Sequence, residues 1–240
     1  MFKEHSVLVV IPARGGSKGI RKKNIYPVLG KPLISYTIDV CKELTWIDDV
    51  IVSTDDLEIA KLVESIGVKV PFLRPKEISG DFISDHQVIK HALYEVERLK
   101  SREFDFVIML QPTSPLRSCS DVESTMNYLI EGGFDSVWTV SPVESKYHAL
   151  KQLAISDSKR LEYFSNNGEE IIARQQLNPT FMRNGVAYAM ARSVITDGNS
   201  LLGNTPGALV IDSKQVSIDT LEDIKTVEGI LSLKDSSYLL

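Results

Sequence analysis

The sequence predicts a layered α/β protein. Short β-branched runs recur along the chain, segments of helical length separate them, and glycines or capping residues mark several junctions. The 240 residues, 43% of them hydrophobic, suffice for one large domain with a small appendage. Residues 1–240 therefore read as a single domain carrying one insertion near 142–183.

Val7–Ile11 is continuously apolar, as a strand buried on both faces would be. Pro32 can open a helix through about Leu44, because proline is tolerated in a first turn. "DVIVS" (Asp49–Ser53) reads as a second strand, and Leu57–Ile66 as a helix that Gly67 stops. Asp85–Lys100 is a helix, "DFVIML" (Asp105–Leu110) a strand, and Asp121–Ile130 a helix ending at Gly132 and Gly133. "DSVWTV" (Asp135–Val140) is the next strand. From Pro142 to Arg183 the rhythm gives way to short polar, extended segments, the expected β-rich arm. Gly185–Ala191 and Ala208–Ile211 return to strand, and Thr220–Leu233 closes as a helix. Thr220 and Asp223 have capping-box-like spacing at its start.

Composition removes several function classes. A net charge of −5 argues against a general nucleic-acid binder. Cys41 and Cys119 form no C-x-x-C pair, so neither a disulfide framework nor a zinc site is indicated. No apolar stretch approaches the ~20 residues that span a bilayer, and no signal-type segment opens the chain. The expectation is a cytoplasmic protein without membrane or nucleic-acid partners. His5, His86, His91 and His148 show neither metal spacing nor a nucleophile partner. Trp46 and Trp138 read as packing residues.

Positive charge is concentrated at one place. "VLVVIPARGGSKGIRKKNI" leaves the first strand through Gly15 and Gly16 and meets Arg14, Lys18, Arg21, Lys22 and Lys23. In an open α/β sheet, ligands bind beyond the carboxyl ends of strands. Glycines let backbone N–H groups approach an anion, and the cations add full charges. The pattern points to a polyphosphate cradle. It is not a Walker loop, since Ile20 and Arg21 follow Gly19, and its G-G-x-x-G spacing is not a dinucleotide fingerprint.

"IPARGGSKGIRKKN" resembles the signature of the sugar-acid cytidylyltransferases, the CMP-sialic acid synthetase family. "LRPKEISGD", "LQPTSPLR", "RQQLNPTFMRNGVAY" and "SIDTLEDI" are similar to the family's later motifs and stand in the same order. The resemblance implies a three-layer, mostly parallel, Rossmann-like nucleotidyltransferase sheet, with the 142–183 segment as a dimerisation arm and a homodimer as the assembly. It implies transfer of CMP from CTP to the anomeric 2-hydroxyl of a nine-carbon 2-keto sugar acid, with Mg²⁺ assisting and pyrophosphate leaving. Arg14, Gly15, Gly16, Ser17, Lys18, Lys23, Asn24, Arg74 and Ser84 match the nucleotide side. Lys23, Arg14 and Asp219 are the implied catalytic groups. Gln111, Lys151, Arg174 and Tyr188 match the sugar-acid side, some of them for a partner subunit's site.

The residues also carry plainer readings. Arg74 could be a surface ion pair, Asn184–Gly185 an ordinary turn, and Arg117 a structural ion pair or an anion contact, with the structural role favoured. Asp81 and Asp85 read first as helix-start residues. Asp219 is the implied Mg²⁺ ligand, but Ser217 stands where many relatives have a second aspartate. Two rivals follow: a nucleotidyltransferase acting on a sugar 1-phosphate, and a catalytically silent nucleotide-binding protein.

Overall fold

The computed structural model describes residues 1–237. Strand β1 (Val7–Pro12) leads through the basic loop to a two-stranded ribbon, β2 (Pro27–Val28) and β3 (Lys31–Pro32), and then to helix α1 (Leu33–Glu43). β4 (Asp49–Ser53), α2 (Leu57–Ser65), α3 (Asp85–Lys100), β5 (Phe106–Met109), α4 (Cys119–Glu131) and β6 (Ser136–Pro142) follow. A hairpin of β7 (Leu153–Ile155) and β8 (Leu161–Tyr163) precedes the long β9 (Phe181–Ala191), α5 (Arg192–Thr196), β10 (Pro206–Val210) and α6 (Leu221–Ser237).

The sheet order is β10-β6-β9-β5-β1-β4. Every neighbouring pair is parallel except those made by β9, which runs antiparallel between β5 and β6. The chain places β4 on one side of β1 and β5 on the other, so the strand order reverses at β1. That reversal opens a crevice beyond the carboxyl ends of β1 and β5, the usual ligand position in such sheets.

The alternation of β1 builds the layers. Val7, Val9 and Ile11 pack on one face with Ile34 and Ile38 of α1, Ile59 and Val63 of α2, and Val122 and Met126 of α4. Leu8 and Val10 pack on the other with Ile89 and Leu93 of α3 and Val194 and Ile195 of α5. This gives helix, sheet and helix layers around a mostly parallel sheet. A third cluster, including Ile20, Val28, Leu33, Ile218, Ile224 and Val227, clamps the basic loop and ribbon to α6.

Local signals account for the helix ends. Ser84 and Ser118 make capping boxes with Gln87 and Asp121, and Asp56 accepts from the amides of Glu58 and Ile59. Gly67 takes a φ of +87° just past α2, as a helix stop requires. Thr220 and Asp223 form the expected reciprocal pair at α6.

Residues between β6 and β9 lie outside the central sheet. They form four 3₁₀ turns and the small β7–β8 hairpin, so this insertion contains less strand than its sequence suggests. Its side chains bond their own backbone within a few residues, as Gln152 does to Tyr147 and Gln176 to Glu170; such local bonding competes with ladder formation. Among the described residues, no helix is long and apolar enough to cross a membrane.

Candidate active site

A cleft of about 620 Å³ lies beyond β1 and β5. Arg14, Ser17, Lys18, Lys23 and Asn24 line it from the basic loop. Arg74, Asp81 and Asp85 line it from the segment entering α3, Gln111 and Thr113 from the loop after β5, and Ser217 and Asp219 from the approach to α6.

The loop after β1 is braced from within and from across the cleft. Asn24 is buried and its amide donates to the Arg14 carbonyl at 2.9 Å. Gly15 donates its N–H to Asp55 Oδ1 at 3.0 Å, and a Cβ there would stand 2.5 Å from Asp56 Oδ2. The close approach of the acidic pair after β4 therefore requires glycine, and the Gly15 amide is committed to Asp55 rather than aimed at a ligand. Gly16 has open space around its Cβ position. Lys22 pairs with Glu58, away from the cleft-lining set.

Lys23 reaches the opposite wall. Its Nζ donates to Asp219 Oδ1 at 2.8 Å and to the Ile218 carbonyl at 2.9 Å. Ile218 is buried and its amide donates to Thr113 O at 2.9 Å, which fixes the "SIDT" backbone. Asp219, its side chain 74% exposed, thereby stands at the cleft rim.

Arg74 is no surface residue: its side chain is 3% exposed. Its backbone N–H donates to Thr54 O at 2.7 Å, and its guanidinium lies 3.8 Å from Asp55. Its Nε is buried with no protein acceptor, and burial pushes its pKa down. Arg74 nonetheless lines the cleft, so a guanidinium held in place by burial borders the ligand space.

Arg117 takes the structural role. Buried, it donates to Thr37 Oγ1 at 2.7 Å, Gln111 O at 2.7 Å, Gly185 O at 2.9 Å and Val186 O. Burial lowers its pKa to about 10. These bonds tie the Gln111 loop to β9 and α1. Gly185, at a φ of +70°, leaves no room for a Cβ beside Gln111 Oε1, 2.4 Å away, so "NG" is both a turn and a close approach.

Six sequence-derived residues do not line this cleft within one chain, Gly15 and Gly16 of the basic loop among them. Ser84 spends its hydroxyl on the capping box with Gln87. Tyr188 is buried in the core under α3 and α5, where its hydroxyl accepts from the Gly185 amide at 2.9 Å and its ring stacks on Trp138 at 4.8 Å. Lys151 and Arg174 are exposed on the insertion. Asp81 and Asp85 both line the cleft; Asp85 is also in the first turn of α3, and burial raises its pKa. Asp55 was not singled out by sequence, because nothing local announces a carboxylate that works 40 residues away on Gly15. Among the described residues, no three His, Cys, Asp or Glu side chains gather to hold a metal by themselves.

A mostly parallel sheet with a reversal at β1 and a basic, glycine-bearing loop facing a cleft define a nucleotide-handling α/β protein. The chain belongs to the cytidylyltransferase family, whose sequence profile matches residues 8–224. A pseudaminic acid cytidylyltransferase of Campylobacter jejuni is 28% identical over 96% of this chain and 98% of its own. A CMP-N,N'-diacetyllegionaminic acid synthase of Legionella pneumophila is 29% identical over 97% of this chain and 99% of its own. A solved CMP:2-keto-3-deoxy-manno-octonic acid synthetase complexed with CTP shares the fold, with a TM-score of 0.72 over 95% of this chain and 99% of that one at 18% identity.

Proposed function

We propose that this chain transfers CMP from CTP to the anomeric 2-hydroxyl of a nine-carbon 2-keto sugar acid of the sialic, legionaminic or pseudaminic type. The observation that carries the reading is the convergence of Arg14, Lys18, Lys23 and Arg74 on one cleft at the sheet's reversal point. The full-length relatives named above support the reaction and the class of acceptor.

In this reading Arg14, Ser17, Lys18 and Lys23 hold the triphosphate. Arg74, which lines the cleft, donates from its guanidinium to an acceptor on the cytosine edge, its side chain fixed by burial. The acceptor's hydroxyl oxygen bonds to the α-phosphorus, the bond from that phosphorus to the bridging oxygen breaks, and pyrophosphate leaves with the electron pair. The acceptor's hydroxyl proton passes to solvent water. Lys23, already placed by Ile218 and Asp219, stabilises charge developing at the reacting phosphate without reorganisation. Gln111 contacts the sugar acid from the loop after β5.

Asp219 and Ser217 fit Mg²⁺ in chemistry: one exposed carboxylate and one hydroxyl beside a phosphate site suit an ion that keeps waters and substrate oxygens. When bound, Mg²⁺ would polarise phosphate oxygens and lower the acceptor hydroxyl's pKa.

The insertion supports a homodimer reading. Ile155, Phe164 and Ile172 are 74%, 69% and 92% exposed, and Leu161 and Met182 are exposed with them. Apolar side chains exposed in this number are suited to a second copy, which would carry Lys151 and Arg174 toward the neighbouring cleft and supply cations for the acceptor's carboxylate.

The test is pyrophosphate release from each of the four nucleoside triphosphates against synthetic sialic, legionaminic and pseudaminic acids and a sugar 1-phosphate. Turnover with CTP and a sugar acid alone is expected. Turnover on the sugar 1-phosphate, or CTP binding without turnover on any acceptor, would replace this reading with one of its rivals.

A further inference from the structure

The two cations at the mouth of the basic loop already share an anion. Arg14 Nη1 lies 2.8 Å from Asp81 Oδ1, and Lys18 Nζ lies 2.6 Å from Asp81 Oδ2. One carboxylate thus spans both groups with both of its oxygens. Lys18 and Arg14 in turn hold the Asp81 carboxyl below the usual range.

The strap that presents Asp81 is anchored at its ends and lightly held between them. Arg74 fixes one end through Thr54, and the Ser84–Gln87 capping box fixes the other. Between them, Lys76–Ile78 makes one 3₁₀ turn, Ser79 bonds back to Pro75 and Lys76 within the same turn, and Gly80 has only Ile83 within 4 Å of its Cβ position. Phe82, next to Asp81, is 100% exposed. The Asp81 side chain therefore rests on Arg14 and Lys18 rather than on a packed core.

The geometry points to Asp81 as a built-in competitor for the phosphate cradle. The inference rests on the reading that Arg14 and Lys18 take phosphate oxygens. Those donors cannot serve the carboxylate and a phosphate chain at full strength together, and a carboxylate left beside a polyphosphate would be repelled by it. Binding CTP thus displaces Asp81, and its return helps expel pyrophosphate after transfer. The competition weakens every ligand that uses these cations, and it protects the loop from like-charge repulsion between Arg14 and Lys18.

Calorimetry on the full chain tests this with CTP, sodium pyrophosphate and cytidine. Asp81→Asn and Asp81→Ala are expected to bind CTP and pyrophosphate about three- to tenfold more tightly, the scale of exposed ion pairs. Cytidine, with no phosphate, should bind as to the natural chain. Asp81→Glu, which keeps the charge, should restore the weaker binding, and pyrophosphate should inhibit turnover by Asp81→Asn at lower concentration. Unchanged or weaker pyrophosphate binding by both neutral variants, with Arg14→Ala still losing CTP, would overturn the competitor role and leave the cradle standing. CTP binding untouched by Arg14→Ala and by every Asp81 variant would remove the cradle and the competitor together.

Discussion

The main-chain oxygen of Asp219 lies 2.6 Å from where a Cβ on Gly19 would stand. The basic loop and the entry to α6 thus touch backbone to backbone, and that contact brings Lys23 within 2.8 Å of Asp219. Gly19→Val should push these walls apart. Turnover is expected to fall about 10²-fold, the scale for misplacing a positioned group, and the melting temperature to drop, because the clash is with backbone. Steady-state pyrophosphate release and a thermal melt check it.

Lys23→Ala should separate chemistry from binding. Losing one preorganised cation costs about 10²–10³ in turnover by analogy with an oxyanion donor. CTP affinity should change far less. Rapid-quench turnover with a separate CTP titration tests this; near-natural turnover would exclude Lys23 from charge stabilisation.

Asp219→Asn should raise the Mg²⁺ concentration needed for half-maximal rate. The variant keeps size and hydrogen bonding but loses the charge a hard cation prefers. Restoring a carboxylate with Ser217→Asp on the natural chain should move the requirement the other way. Identical Mg²⁺ titrations for all three proteins would count against ligation at this corner.

Arg117→Ala should destabilise the fold by about 3 kcal/mol, since it strands buried carbonyls of Gln111, Gly185 and Val186. Urea unfolding measures this. Because Gln111 is tied through the same residue, activity should fall at temperatures where the variant is still folded.

Both thiols should be slow to react. Burial raises Cys41 from 9.0 to about 12, and burial with the Glu43 carboxylate raises Cys119 from 9.0 to about 11. Each thiol stays protonated in the fold, and the thiolate is the nucleophile. The sign for stability follows: the contribution is whole below pH 9.0 and fades as pH rises toward 11 and 12. A disulfide reagent at about pH 8 should label the folded chain slowly and both cysteines quickly in denaturant.

The sequence by itself determined the elements and the loop. Continuous apolarity in Val7–Ile11 and the capping pair Thr220 and Asp223 are local patterns realised where they were read, and the cations Arg14, Lys18 and Lys23 of the glycine loop line the cleft after β1. Local patterns carry this because periodicity, caps and turns depend on neighbours a few residues apart. Only the tertiary structure decided which partner each polar group meets. It set β9 antiparallel between β5 and β6, gave the Gly15 amide to Asp55, put Tyr188 in the core, and laid Asp81 across Arg14 and Lys18. The Gly15–Asp55 bond joins residues 40 positions apart, and Lys23–Asp219 residues 196 apart. Sheet order and helix packing choose them, and no short stretch of sequence encodes either.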